Sequence, residues 1–212
     1  MKIRWLGQAS FSITTSDGRT VRTDPFDESL GLPIDKEEAD VVTVSHGHFD
    51  HNAVHLVPGK HEVVDKPGTH TAAGIAFTGV ATYHDESKGA KRGENVIFCF
   101  EADGVRVCHA GDLGHVLSPE QAGALGKVDV LLIPVGGTYT VDAAGAGEVV
   151  EQLSPRVVVP MHYKLPGMSL PIADVEGFLA GKSNVRRADV LEVTGETLPA
   201  QPQIVVLAPP TT

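Results

Sequence analysis

The segment Ser45-His46-Gly47-His48-Phe49-Asp50-His51 places four metal-capable side chains within six residues, in the order H-x-H-x-D-H. A neutral imidazole nitrogen binds zinc, iron and similar cations, and carboxylate oxygens bind them too. Crowding so many imidazoles together is unfavourable unless something holds them. A cation organises them, and it also makes a bound water more acidic. Further polar residues stand where apolar runs end: Asp24 after Val21-Arg22-Thr23, His84 after Val80-Ala81-Thr82-Tyr83, Asp112 after the run that begins at Val105, and His162 after Val157-Val158-Val159-Pro160-Met161. Strand ends in layered α/β folds are where loops converge on a rigid scaffold. One histidine there would mean little; this many point to one shared pocket. The donors are nitrogen and oxygen with no thiolate, a set that suits zinc and also manganese or iron(II).

These residues need strands to position them. The alternation of side chains predicts strands at 2–6, 10–15, 19–23, 61–64, 75–83, 96–100 and 105–109. The unbroken apolar runs at 41–45, 130–134 and 157–160 read as strands buried on both faces. Asp17-Gly18 and Asp103-Gly104 are hairpin turns. The second turn pairs Ala102 with Val105 and sets Cys99 opposite Cys108 in a non-hydrogen-bonded pair, where side chains come close. A cross-strand disulfide is geometrically conceivable there, but a reducing compartment favours two buried thiols. Helices are expected from Pro119 behind a Ser118 cap, over 143–153 behind Asp142, and over 171–180. The order of hairpin, acidic strand end, connection, buried strand and glycine occurs twice, once from Asp17 to Gly47 and again from Asp103 to Gly136. Two such halves would stack their sheets face to face with helices outside.

The 212 residues are enough for one well-buried domain, and no linker divides them. Lys and Arg number 17 against 27 Asp and Glu, a net charge of −10, which argues against general nucleic-acid binding. No apolar run approaches the length of a membrane span, and the first residues do not form a signal peptide. The expectation is a cytoplasmic protein acting on a small molecule, with no nucleic-acid or membrane partner. Assembly into a homo-oligomer stays open.

The chain resembles the metallo-β-lactamase-fold hydrolase superfamily. The phrases that carry this are the H-x-H-x-D-H cluster, Trp5-Leu6-Gly7-Gln8-Ala9-Ser10-Phe11, Thr23-Asp24-Pro25-Phe26, His109-Ala110-Gly111-Asp112, Leu132-Ile133-Pro134-Val135-Gly136-Gly137 and Pro160-Met161-His162-Tyr163. It is most similar to the small bacterial branch that includes L-ascorbate 6-phosphate lactonase. The resemblance implies an α/β (α+β) fold, a four-layer αββα sandwich with a one- or two-metal site on one edge. It implies His46, His48 and His84 as ligands of one metal, Asp50, His51 and His162 as ligands of a second, and Asp112 as the carboxylate between them. Asp24 would support the site from behind. The implied activity is a metal-activated attack of water on a small ester, lactone or phosphodiester, with Asp50 and Asp112 closest to the chemistry and no protein nucleophile required.

The third histidine has a competitor. His109 is nearer Asp112 in sequence, but the hairpin register puts it opposite Phe98 on the face of Val105 and Val107, which reads as core. His84 is favoured as ligand, with His109 as a supporting hydrogen-bonder. His115 and Tyr139 are candidates for the pocket wall, and Lys164 for holding an anionic group. The basic run Lys88-Gly89-Ala90-Lys91-Arg92 is either a receiver for a phosphate or carboxylate or a solvated loop. His55, His61 and His70 read as surface residues. Two other functions use the same ligands. A redox di-iron protein would carry Glu where this chain has His48, together with a flavin domain. A non-catalytic metal-binding module would be expected to lack a ligand, and none is missing. The short stretch between His51 and His84 leaves little room for a large substrate-binding insertion.

Overall fold

The computed structural model describes residues 1–209. The strands are β1 (Lys2–Gly7), β2 (Ser10–Thr14), β3 (Thr20–Thr23), β4 (Val41–Thr43), β5 (Glu62–Val64), β6 (Gly68–Ala72), β7 (Ile75–Tyr83), β8 (Glu94–Ala102), β9 (Val105–His109), β10 (Val130–Pro134), β11 (Val157–Met161), β12 (Val185–Ala188), β13 (Leu191–Glu192) and β14 (Gln203–Leu207). The helices are α1 (Pro119–Leu125), α2 (Ala143–Leu153) and α3 (Glu176–Leu179). One sheet runs β13-β1-β2-β3-β4-β5 and the other β12-β14-β11-β10-β9-β8-β7-β6.

Alternation decides the packing. Phe11, Ile13, Val21 and Val41 of the first sheet and Phe77, Phe98, Phe100 and Val107 of the second belong to one buried apolar cluster. Burying each such side chain stabilises the fold by about 1.5–3 kcal/mol. The repeat seen in the sequence is structural. The β2–β3 hairpin is followed by β4 parallel to β3, and the β8–β9 hairpin by β10 parallel to β9. The outer layers are unequal. α1 packs on β7, and α2 on β10 and α3. The outer face of the six-stranded sheet carries a short 3-10 turn, Val54–Leu56, whose Val54 joins Ala39 and Val57 over Val42 and Val44.

Both main helices start as their caps dictate. Ser118 and Gln121 form a reciprocal capping box, and Asp142 accepts from Ala144 and Gly145 at 3.1 and 2.9 Å. The third helix is only 176–179 rather than 171–180. The backbone before it is drawn into other pairings: Ala173 N–H donates to Gly136 C=O, and Ala173 C=O accepts from Lys164 N–H, both at 2.8 Å. Strands β6, β12, β13 and β14 had not been singled out in the sequence. Among the described residues no helix is long and apolar enough to cross a membrane.

The β8–β9 register is the expected one, Ala102 with Val105 and Cys99 with Cys108. The expectation of two thiols is corrected: Cys99 and Cys108 are joined by a disulfide, with Cα atoms 4.2 Å apart. The close approach of a non-hydrogen-bonded pair brings the sulfurs into reach and outweighs the argument from compartment. Protein denatured without reductant is therefore expected to show no titratable thiol. With a sequence separation of 9, loop-closure entropy puts the loss of stability on reduction at about 2–3 kcal/mol, measurable by denaturant unfolding.

Candidate metal centre

Asp24, His46, His84, Asp112 and His162 follow β3, β4, β7, β9 and β11, and these strand ends meet at one edge of the sandwich. Two of the five hold backbone that non-glycine residues rarely adopt, Asp24 at φ 36° and His162 at φ 51°. Such strain costs about 1–3 kcal/mol per residue and collects at functional sites. The loop after β9 is packed so tightly that a Cβ on Gly114 would lie 2.2 Å from the carbonyl carbon of His84.

The donor atoms crowd around Asp112. Its Oδ2 lies 3.1 Å from His84 Nε2, 3.3 Å from both His51 Nε2 and His162 Nε2, and 4.0 Å from His46 Nε2. His46 Nε2 is 3.0 Å from His48 Nδ1, and His51 Nε2 is 3.4 Å from Asp50 Oδ2. Two triads result, His46–His48–His84 and Asp50–His51–His162, each with its donor atoms within 4.8 Å of one another. A third group, Asp24–His46–His51, lies behind them. The far nitrogens are anchored. His84 Nδ1 donates to the Tyr139 carbonyl at 3.0 Å, His51 Nδ1 lies 2.8 Å from Asp24 Oδ2, and His46 Nδ1 lies 2.9 Å from Ser45 Oγ. Fixing one ring nitrogen aims the lone pair of the other, the arrangement that metal-binding histidines use.

The residues fit divalent cations on the evidence of their own unmet demands. His51 Nε2, Asp112 Oδ1 and His162 Nδ1 are buried without a hydrogen-bond partner. A buried polar atom left unpaired is costly, and His51 Nε2 lies inside the cluster, 3.3 Å from Asp112 Oδ2, where a cation would satisfy it.

Electrostatics sorts the group into ligating forms. Burial, then the nearby His51, pushes His46 down to about 3. Burial, then His84, also lowers His48. Both imidazoles are thereby neutral, the form that binds a metal. Burial raises Asp50, but His51, with Nε2 3.4 Å from Asp50 Oδ2, outweighs it and holds the carboxyl at about 2. Burial likewise opposes ionisation of Asp112, and His162 and His51 overcome it, so its carboxyl is held well below the usual range. His51 is the exception. Burial would lower it, yet Asp112, Asp24 and Asp50 raise it well above an ordinary histidine.

A cavity of about 330 Å3 opens over His48, Asp50, His84, Asp112 and His162, with Tyr139 on its wall. Three other expected residues are elsewhere. His109 Nε2 donates to the Ala9 carbonyl at 2.7 Å inside the core, its ring edge-on to Phe11. His115 accepts from Tyr83 N–H at 3.2 Å and does not line the cavity. Lys164 donates to the Met168 and Leu170 carbonyls, both at 2.6 Å, so its ammonium braces a loop. Gln8 had not been picked out as a site residue. Fully buried at φ 49°, it donates from Nε2 to Asp50 Oδ2 at 2.9 Å, and its carbonyl accepts from His162 N–H at 3.0 Å. Asn95 was missed as well: its side-chain oxygen accepts from Asp112 N–H at 2.9 Å, and its amide donates to the Ala110 carbonyl at 3.0 Å.

Residues 2–162 match the family model of the beta-lactamase superfamily domain. A UPF0173 metal-dependent hydrolase of Archaeoglobus fulgidus is 34% identical, over 77% of this chain and 83% of that protein. A second, from Thermoplasma acidophilum, is 32% identical over 85% and 90%. A Thermotoga maritima protein, provisionally described from its crystal structure as a Zn-dependent hydrolase of the metallo-beta-lactamase superfamily, superimposes with a TM-score of 0.83 at 42% identity, covering 97% of both chains. The expected sandwich is thus the fold of this chain, while the finer likeness to the ascorbate lactonase branch gains no support from these relatives. The chain belongs to the metallo-β-lactamase superfamily and, within it, to the family of UPF0173 metal-dependent hydrolases.

Proposed function

We propose that the protein hydrolyses a small-molecule ester, lactone or phosphodiester at two divalent cations, zinc first among the fits. His46, His48 and His84 would hold one, Asp50, His51 and His162 the other, and Asp112 would lie between them. When bound, such cations make a water nucleophilic near neutral pH and stabilise charge developing on the substrate oxygen. The chain's own part is orientation. The Tyr139 carbonyl and Asp24 aim His84 and His51. Gln8 fixes the Asp50 carboxylate through its bond to Oδ2, and Asp50 lines the cavity, where it would orient the attacking water. The low position of the Asp50 carboxyl keeps it ionised at neutral pH, the form that binds a cation and accepts a hydrogen bond from water.

The single observation that carries this reading is the convergence of four imidazoles on the Asp112 carboxylate, with buried donor atoms left unpaired. The test is a screen of metal-reconstituted protein over lactones, phosphodiesters and thioesters, with His48→Ala as the blank. Turnover present in the wild type and lost in the variant supports it. Metal binding without turnover of any class would leave a binding module instead. Gln8→Leu removes the bond to Asp50 without opening a large void. It is expected to weaken metal binding by about 10- to 100-fold, the usual cost of losing a ligand's support, read by competition with a chromogenic chelator.

A further inference from the structure

The loop between β7 and β8 spans His84 to Gly93, and it is built around the carboxylate of Asp85, directly after His84. Asp85 is buried and accepts from four backbone amides, Ser87 at 2.7 Å, Gly89 at 3.1 Å, Lys91 at 2.9 Å and Arg92 at 2.7 Å. Four such bonds fix the course of the loop, so the basic run it carries is not a slack hairpin tip. They also separate the fates of its cations. Lys88 is exposed, and Lys91 pairs with the exposed Glu86. Arg92 alone is brought to the site. Its guanidinium donates to the Thr138 carbonyl at 2.9 Å and lies 5.5 Å from the centre of the Tyr139 ring.

Arg92 borders two cavities at once. One is the 330 Å3 cavity over the candidate metal ligands, of which it is the only lysine or arginine among the described residues. The other, about 550 Å3, lies along His46 and His48. The Thr138 carbonyl occupies one of the five guanidinium N–H donors. The planar fork that remains matches a carboxylate or phosphate. The rest of the wall is of another kind: Phe49, 58% exposed, together with Leu170. A large exposed aromatic beside a polar site is the feature to explain, and an apolar substrate body explains it. The chain's net charge of −10 would repel anions at long range; a preset arginine at the mouth counters this locally.

We propose that Arg92, preset by the Asp85-centred loop, is a specificity-determining residue that binds an oxyanion carried by the substrate away from the bond cleaved, while the substrate's apolar body rests on Phe49 and Leu170. The substrate class is therefore a small ester or lactone bearing a carboxylate or phosphate. This rests on the hydrolase reading, and the test keeps the two apart.

The metal-reconstituted wild type, Arg92→Gln and Arg92→Lys are compared on mono(4-nitrophenyl) glutarate and on 4-nitrophenyl butyrate, which share a leaving group and differ in the distal carboxylate. Phenyl phosphate binding is measured in parallel by calorimetry, without turnover. Loss of a charge-assisted bond predicts that Arg92→Gln lowers the preference for the anionic ester by about 10- to 100-fold, mostly through KM. Arg92→Lys should keep part of it, since a point charge replaces the fork. Weakened phenyl phosphate binding alone would assign the oxyanion as phosphate, and a changed ester preference alone as carboxylate. An unchanged preference together with unchanged phosphate binding in Arg92→Gln overturns the proposal. If neither ester is turned over, the hydrolase reading fails on these substrates, and the calorimetric comparison still decides Arg92.

Discussion

Asp112→Ala is expected to eliminate hydrolysis and, in chelator-treated protein, to destabilise the fold as well. The two losses have one origin. The Asp112 carboxylate is the common neighbour of His46, His51, His84 and His162, so its loss reaches both triads at once. Losing it should cost roughly 4 kcal/mol of transition-state stabilisation, about a thousandfold in rate. Stability falls because Asp112 is 2% exposed and its charge compensates buried imidazoles. Removing one member of a buried charge cluster typically costs about 3–5 kcal/mol. Asp112→Asn separates shape from charge. It keeps the volume and an acceptor oxygen but loses the anion, so it should be nearly as inactive as the alanine variant while leaving no cavity. Activity and urea unfolding of both variants check this. An Asn variant with wild-type turnover would remove Asp112 from the centre of the mechanism. The acid dependence has a definite sign. The Asp112 carboxyl is held well below its unfolded value, so its stabilisation is present above the ordinary carboxylate pKa and is lost as pH falls through the depressed one. Neither variant should show that loss.

Much of this centre was legible in the chain because three local signals agree. The H-x-H-x-D-H cluster is dense enough to stand without context. Hairpin chemistry at Asp103-Gly104 predicts the β8–β9 register to the residue, and that register favours His84 over His109 as the third histidine ligand by putting His109 on a core face. The acidic and histidine strand ends were visible because the runs before them are apolar. What stayed hidden depends on contacts between distant segments. Gln8 and Asp50 meet across 42 residues, and a lone glutamine in the turn between β1 and β2 has no pattern to mark it. Asp85 looks like a loop acid until four amides are seen to converge on it. Lys164 shows the opposite error. Its closeness to His162 in sequence suggested a role at the pocket, but the left-handed backbone at His162 turns the chain, and the ammonium goes to Met168 and Leu170. The outer layer over β4 escaped notice for a similar reason, since Ala39, Val54 and Val57 show no periodicity until they cover Val42 and Val44.

Metal uptake near neutral pH is expected to release about one proton from His51 per fully loaded protein, beyond any that a bound water gives up. The count distinguishes two electrostatic pictures of the centre. If all the imidazoles were neutral before binding, no proton would be displaced from them. His46 and His48 fit that description, since burial holds both below the ordinary histidine value. His51 does not, because Asp112, Asp24 and Asp50 outweigh its burial and raise it well above that value. A proton on Nε2 and a cation beside Nε2 exclude one another, so binding must expel the proton. Apparent affinity should therefore climb by up to about tenfold per pH unit until the raised pKa of His51 is passed. The same shift acts on the chelated protein with its own sign. A raised folded pKa gives stability that is complete below the unfolded value of 6.5 and is lost as pH rises through the raised one. His46, lowered to about 3, works from the other side, and its contribution is lost as pH falls from 6.5 toward 3. Chelated protein should thus lose stability in both directions from near-neutral pH, and loading with metal should flatten the alkaline limb by replacing the proton with a cation. Calorimetric titration in buffers of different ionisation enthalpy gives the proton count. A count near zero would mean that His51 is already neutral, and the alkaline limb should then be absent from the unfolding data as well.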